Sequence, residues 1–137
     1  MTVSLASVSV LLAVGFTCSS PAPRHTYAFG RVGGNIAPYT VDVHLDGTLS
    51  SSGPVRLANP SKSVPAATLR RLGLLVRSTG FSSLPARTTC AGALPDFAAS
   101  FVTVKTGSTS KRVLVRGDCR PGFQRLYRAL AAAAGVG

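Results

Sequence analysis

Residues 97–134 read FAASFVTVKTGSTSKRVLVRGDCRPGFQRLYRALAAAA, a stretch that contains a β-hairpin followed by an α-helix. The segments from Phe97 to Lys105 and from Lys111 to Arg116 predict two strands joined across residues 106–110. Apolar residues then recur at i, i+3, i+4, i+7 and i+11, namely at Phe123, Leu126, Tyr127, Leu130 and Ala134. This spacing predicts an amphipathic helix that begins at Pro121 and ends at Gly135.

The preceding part of the chain also places strands before a helix. A first strand is predicted from Tyr27 to Gly34. Apolar and polar residues alternate from Tyr39 to Leu45, which predicts a strand with Leu45 on its apolar face. Asp46-Gly47 then marks a tight turn into a return strand, and a further strand is predicted near Val55–Leu57.

A first helix is predicted from Pro65 to about Ser78, and Gly80 stops it. Its apolar stripe consists of Leu69, Leu72, Leu75 and Val76. The resulting order is strands, helix, strands, helix. We therefore predict a single α+β domain over residues 27–137, an antiparallel sheet with both helices packed on one face.

Two of the three cysteines flank the second predicted hairpin. Cys90 precedes this hairpin and Cys119 follows it, and the two ends of a hairpin lie side by side. In an oxidising compartment such thiols pair, so we predict a Cys90–Cys119 disulfide. The alternative is two unpaired buried cysteines. A zinc site is disfavoured because no C-x-x-C motif or nearby histidine completes four ligands.

Residues 1–18 are predicted to be an export signal or a signal anchor. Met1 to Pro23 contains no charged residue, and Val3 to Phe16 is an apolar run shorter than the ~20 residues that a membrane span needs. The absence of Lys or Arg before this run departs from a typical signal. In the signal-anchor alternative, Arg24 and the residues near it stay in the cytoplasm. We predict a protein that is secreted or anchored to the outer face of a bacterial membrane.

Cys18 is a candidate for lipidation. Gly15-Phe16-Thr17-Cys18 resembles the lipobox of bacterial lipoproteins, although Gly15 and Thr17 both depart from that pattern. Residues 19–26, which begin Ser19-Ser20-Pro21, have the composition of a flexible tether. The sequence therefore offers a candidate membrane tether at the N-terminus.

The charge of the chain is strongly positive. Fifteen Lys and Arg residues face four Asp and no Glu, so the net charge is +11. Such a surplus favours an acidic protein or an anionic envelope component as partner, although solvated helix faces and biased composition are alternatives. Nucleic acid is disfavoured, because the aromatic residues fall at core-like positions. The candidate basic surface consists of Arg70, Arg77, Lys105, Lys111, Arg112, Arg125 and Arg128.

The sequence does not favour catalysis, a cofactor, a metal ion or a small-molecule substrate. His44 shares a predicted strand face with Asp42 and Asp46, but same-face neighbours on a strand stand ~6.8 Å apart and do not converge easily on one ion. An enzyme would need a pocket that gathers His44 with Asp96 or Asp118. We therefore predict a protein that is not an enzyme.

Several short motifs carry a resemblance to a known family. They are Gly33-Gly34 after the first strand, the helix built on Leu69, Leu72 and Leu75, the segment Phe81-Ser82-Ser83-Leu84-Pro85, and Pro95-Asp96-Phe97 before the second hairpin. Over residues 27–134 this pattern resembles emfourin-type proteins, which are small inhibitors of thermolysin-type metalloproteases. The resemblance implies the same fold and an inhibitory role, and it assigns no inhibitory residue to this chain.

These features together predict an exported, non-enzymatic binding module, with protease inhibition implied by the resemblance. Blocking a partner needs a rigid loop and no catalytic groups. The candidate interaction loops are Arg87 to Pro95, tethered by Cys90, and the tip of the second hairpin at Gly107 and Ser108. The alternative function is a basic cell-envelope protein that binds polyanions.

Overall fold

The computed structural model describes residues 13–15 and 24–137 of the chain. The predicted lipidation residue Cys18, and most of the predicted export segment and tether, therefore lie outside the described residues. Within those residues, no helix has both the length and the hydropathy that a membrane crossing requires.

The described chain forms a six-stranded sheet and two helices, an α+β fold as predicted. The strands are β1 His25–Val32, β2 Tyr39–Val43, β3 Leu49–Ser52, β4 Arg87–Thr89, β5 Ala99–Thr106 and β6 Thr109–Arg116, and their order across the sheet is β3-β2-β1-β5-β6-β4. The helices are α1 Ala66–Ser78 and α2 Pro121–Ala134, and a short 3-10 turn, Phe81–Ser83, follows α1. The sheet is antiparallel except for β4, which pairs in parallel with β6.

The core lies between one face of the sheet and the two helices. Side chains at alternate positions of β1, β2, β5 and β6 pack in one cluster with residues of both helices. This cluster includes Phe29, Val102 and Val113 from the sheet, and Leu72 and Phe123 from the helices. Each of these side chains is at most 2% exposed. Fully burying such side chains contributes roughly 1.5–3 kcal/mol each, so this shared core holds both helices on the same face of the sheet.

Local sequence explains where the helices begin and end. Pro65 has an extended backbone and precedes α1, and Pro121 is the first residue of α2, where its missing N–H costs no hydrogen bond. Gly135 ends α2 in the left-handed conformation, with φ of 69°. The predicted first and last residues of both helices are confirmed to within one residue.

The predicted strand boundaries need several corrections. The segment near Val55–Leu57 is not a strand, since only Leu57 makes an isolated bridge, to Val136. The sheet begins at His25, so the predicted tether over residues 19–26 is wrong at its last two positions. Leu45 lies past the end of β2 and is 52% exposed, because the turn begins at His44 and carries it out of the strand register.

The second hairpin is tighter than predicted. β5 begins at Ala99 instead of Phe97, and Thr106 pairs directly with Thr109, which leaves only Gly107 and Ser108 in the turn. Gly107 has φ of 58°, a conformation that favours glycine. Both hairpin strands are eight residues long, and at the turn they extend further than predicted, β5 by one residue and β6 by two.

Candidate functional site

The disulfide braces one end of the sheet. Cys90 and Cys119 form a bond with a Cα–Cα distance of 5.7 Å, as predicted. Cys90 follows the last residue of β4, and its N–H donates to the carbonyl oxygen of Arg116 at 2.8 Å. We call this the disulfide end: it is where β4 and β6 stop and where β5 begins. A disulfide is compatible with an extracellular protein.

A short loop leaves the disulfide and exposes two large apolar side chains. Its backbone turns twice, because Ala93 N–H donates to the Cys90 carbonyl and Phe97 N–H donates to the Leu94 carbonyl, each at 3.1 Å. Leu94 is 53% exposed and Phe97 is 51% exposed. The predicted interaction loop from Arg87 to Pro95 is thus a strand over Arg87–Thr89 and a loop only after Cys90.

The loop after β1 packs against this segment. Asn35 N–H donates to the Asp96 carbonyl oxygen at 3.2 Å, and its side-chain amide donates to the Asp96 carboxylate at 3.4 Å. A Cβ added at Gly34 would lie 2.4 Å from that same carbonyl oxygen, so only glycine allows the two loops to meet. Two of the motifs behind the family resemblance, Gly33-Gly34 and Pro95-Asp96-Phe97, are therefore brought together.

Ile36, Leu94 and Phe97 are the large apolar side chains that the two loops expose, and we call them the apolar patch. Ile36 and Phe97 line one rim of a cavity of about 450 Å³ between the loops, the sheet and α2. Charged groups of both signs line the same cavity: Arg31 and Arg128 with Asp96 and Asp118. The cavity therefore combines an apolar rim with charged groups of both signs.

The structure places His44 away from this cavity. Its ring nitrogen Nε2 lies 2.9 Å from the Ser50 hydroxyl across the first hairpin. Asp42 and His44 line a separate groove of about 210 Å³ on the sheet face away from the helices, which we call the far face. The Asp46 carboxylate accepts hydrogen bonds from both the N–H and the hydroxyl of Thr48. His44 thus lines a different groove from Asp96 and Asp118, which both line the cavity at the disulfide end. Among the described residues, no three His, Cys, Asp or Glu side chains group as metal ligands.

The second predicted interaction loop lies at the other end of the molecule. Gly107 and Ser108 form the turn that joins β5 to β6, whereas the disulfide lies beyond the opposite end of these strands. The two predicted loops therefore do not form one surface. Of these two loops, the one after Cys90 carries the exposed large apolar side chains, Leu94 and Phe97.

The predicted basic residues are also spread over the molecule. Arg112 lies on the far face, where its guanidinium sits 4.1 Å from the ring centroid of Phe101. Arg125 and Arg128 are exposed on α2, and Arg70 and Arg77 are exposed on α1. Lys105 and Lys111 flank the turn of the second hairpin. The seven residues thus do not form a single basic surface.

Three titratable groups in the sheet and helices have shifted pKa values. Burial, and then the charge of Arg77, lower the pKa of His25. Burial raises the pKa of Tyr27 and of Tyr127. The Tyr127 hydroxyl also lies 3.1 Å from that of Tyr39, and this hydrogen bond raises its pKa further. These tyrosines stay protonated and act as packing groups of the core.

The apolar patch is the feature of this site that the sequence did not reveal. The sequence predicts that the strand begins at Phe97, but Ala98 and Ala99 are buried and Phe97 is exposed. The turn residues Pro95 and Asp96 directly before it were the available signal, because such residues favour loops. No family model, curated protein or solved structure matches this chain.

Proposed function

We propose that this protein is an exported, non-enzymatic protein-binding module that contacts its partner through the apolar patch at the disulfide end. The observation that carries the proposal is the exposure of Leu94 and Phe97, each about half exposed, on a loop that the Cys90–Cys119 bond anchors. Large apolar side chains that are exposed together and rimmed by polar residues are a feature of protein interaction sites.

The bracing of the loop supports binding by a preformed surface. A flexible loop loses conformational freedom when it binds, roughly 0.5–1.5 kcal/mol for each ordered side chain. Here the disulfide, the Asn35–Asp96 hydrogen bonds and the two backbone turns fix the loop before any partner arrives. Leu94 and Phe97 can therefore enter a pocket of the partner with little further ordering.

Inhibition of thermolysin-type metalloproteases is the specific form of this proposal, and its support is the resemblance to emfourin-type proteins. A braced loop with a protruding Phe97 suits occlusion of a protease cleft that accepts apolar side chains. Catalytic groups are not needed for such blocking.

Titration of a thermolysin-type protease with the purified protein tests this form. We expect inhibition at or below micromolar protein, lost in the double variant Leu94→Ser/Phe97→Ser. The matched control is Leu74→Ser, because Leu74 is 62% exposed on α1 and lies outside the apolar patch. Absence of inhibition by the unchanged protein at micromolar concentration removes the inhibitor form and leaves the broader binding proposal.

The alternative proposal, a basic envelope protein that binds polyanions, is supported by the net charge of +11. Retention on heparin or teichoic acid should then fall steeply as the salt concentration rises. The scatter of the basic residues over α1, α2 and the far face favours the protein-binding proposal for the molecule as a whole.

A further inference from the structure

The end of the sheet opposite the disulfide is where the described domain joins the N-terminal residues. β1 starts there at His25, which pairs with Thr106 at the end of β5, and its Nδ1 lies 2.6 Å from the Thr106 hydroxyl oxygen. The turn of the second hairpin and the loop after β2 lie at the same end. We call it the tether end.

One flank of α1 borders the tether end. A Cβ added at Gly73 would lie 3.3 Å from Cδ2 of His25, so the helix crosses close to the first residue of the sheet. Arg70 and Arg77 are three residues before and four residues after Gly73, which puts them on the same flank. The closeness of Arg77 to His25 also contributes to the lowered pKa of that histidine.

The second hairpin adds one lysine on each face of the sheet at this end, Lys111 on the helix side and Lys105 on the far face. Lys105 pairs with Thr26 and is exposed, and Lys111 pairs with Val104. With Arg24 they complete a set of five cationic side chains, which we call the basic end: Arg24, Arg70, Arg77, Lys105 and Lys111.

Two of the four acidic side chains lie near the basic end and neutralise only part of its positive charge. Asp46 lies in the loop after β2, and Asp42 lines the far-face groove together with Lys105. The remaining acidic side chains, Asp96 and Asp118, line the cavity at the disulfide end. The tether end therefore keeps an excess of positive charge.

We infer that the basic end rests on an anionic phospholipid surface, with Arg70, Arg77 and Lys111 against the lipid phosphates. Charge complementarity is the first argument, because a basic protein surface held close to a membrane is drawn to anionic headgroups. This inference concerns a different surface from the proposed protein-binding patch and does not depend on it.

The position of the chain entry is the second argument. The eight residues from Thr17 to Arg24 separate the apolar run from β1, and they can span at most about 28 Å. A run held in the bilayer, or a lipid on Cys18, therefore keeps the basic end near the headgroups. Leu74 and Leu45, 62% and 52% exposed, add apolar contacts at this end, and Leu74 shares a shallow hollow with Arg71 and Arg77.

This orientation places the apolar patch away from the membrane. β1 runs eight residues from the tether end towards the disulfide end, a rise of about 26 Å. Leu94 and Phe97 then point outward, where a soluble partner reaches them.

Vesicle partitioning of the full chain tests the inference. We measure the ratio of partition coefficients between phosphatidylcholine vesicles containing phosphatidylglycerol and vesicles of phosphatidylcholine alone. The apolar N-terminal run contributes equally to binding on both kinds of vesicle, so its contribution cancels in this ratio. We expect a ratio of at least tenfold at low salt that falls towards one at high salt, because each basic side chain near the surface contributes about fivefold.

Two double variants with equal change in net charge locate the contact. Arg70→Glu/Arg77→Glu alters the basic end, and Arg125→Glu/Arg128→Glu alters exposed positions of α2 outside it. We expect the first pair to lower the ratio at least tenfold and the second pair to lower it less than threefold. Thermal unfolding of each variant checks that the fold is intact. If a Glu variant does not fold, the corresponding Arg→Gln double variants at these four positions replace it.

Equal losses in the two double variants would overturn the inference, since net charge alone would then govern binding. A ratio near one for the unchanged chain at low salt would overturn it as well. Retention on heparin or teichoic acid without preference for the anionic vesicles would assign the basic end to a polymer instead of a membrane.

Discussion

Gly34 is the residue on which the meeting of the two loops at the disulfide end depends most directly. It has φ of 62°, and a Cβ there would lie 2.4 Å from the carbonyl oxygen of Asp96. Gly92 in the neighbouring loop has φ of 80°, but nothing lies within 4 Å of a Cβ added to it. The two glycines therefore share a backbone requirement and differ in packing.

We expect Gly34→Ala to lower the free energy of unfolding by more than Gly92→Ala does. Both variants incur the left-handed cost of roughly 1–2 kcal/mol, but only Gly34→Ala must also push the Asp96 loop aside. Urea unfolding of the two variants measures the difference. Equal losses would show that the loops do not depend on this close approach.

His25 links the pH to the stability of the tether end. Burial, followed by the charge of Arg77, lowers its pKa in the folded protein below the ordinary value of 6.5. The unfolded chain therefore takes up a proton first as the pH falls. This histidine favours folding above the ordinary pKa, and that contribution is lost as the pH falls through the folded pKa.

We expect the free energy of unfolding to decrease between pH 7.5 and pH 5.5, and the decrease to be smaller in Arg77→Gln. Removing the arginine charge should bring the pKa of His25 closer to its ordinary value. Denaturant unfolding at the two pH values and an NMR titration of the His25 ring measure both effects. A ring pKa at or above 6.5 in the unchanged protein contradicts this account.

At the scale of elements, the helices were the most predictable parts. Their apolar stripes and their Pro and Gly boundaries are local signals, and α1 and α2 lie where these signals put them. β4 was not predictable, because it has only three residues, Arg87–Thr89, and no apolar alternation. Its parallel pairing with β6 joins segments that are distant in the sequence, which no local pattern records.

The disulfide links the end of β4 to the start of α2. Its two cysteines have a sequence separation of 29. We expect Cys90→Ser/Cys119→Ser to lower the free energy of unfolding by about 3.5 kcal/mol, because the bond restricts the unfolded chain. Urea unfolding of the oxidised protein and the double variant measures this loss.

Hydrogen exchange of the same double variant shows which part of the fold is destabilised. Amides of residues 91–97 should lose protection before those of β1 and β2, since the loop loses its anchor while the central strands keep their pairing. A loss under about 1 kcal/mol, or unchanged protection of this loop, would mean that the bond is not what braces it.

At the scale of the whole molecule, the two ends of the sheet differ in chemistry. The apolar patch lies at the disulfide end of the sheet. The five cationic side chains of the basic end lie at the tether end. The sequence indicated the disulfide, the fold class and the positive charge, because each depends on composition or local spacing. It did not indicate that Ile36 and Phe97 line one cavity, because this contact joins distant segments. It also did not indicate that Arg112 covers Phe101, because that contact depends on the register of the second hairpin.

The most direct test of the central claim is capture of proteins from culture supernatant and envelope extract on the immobilised protein. Leu94→Ser/Phe97→Ser is compared with the unchanged protein and with Leu74→Ser. We expect a defined partner on the unchanged protein and on Leu74→Ser, and at least a tenfold loss of it on the double variant, because hot-spot side chains contribute about 2 kcal/mol or more each. A partner retained equally by all three proteins would contradict binding through the apolar patch, and no partner on any of them would contradict the binding module itself.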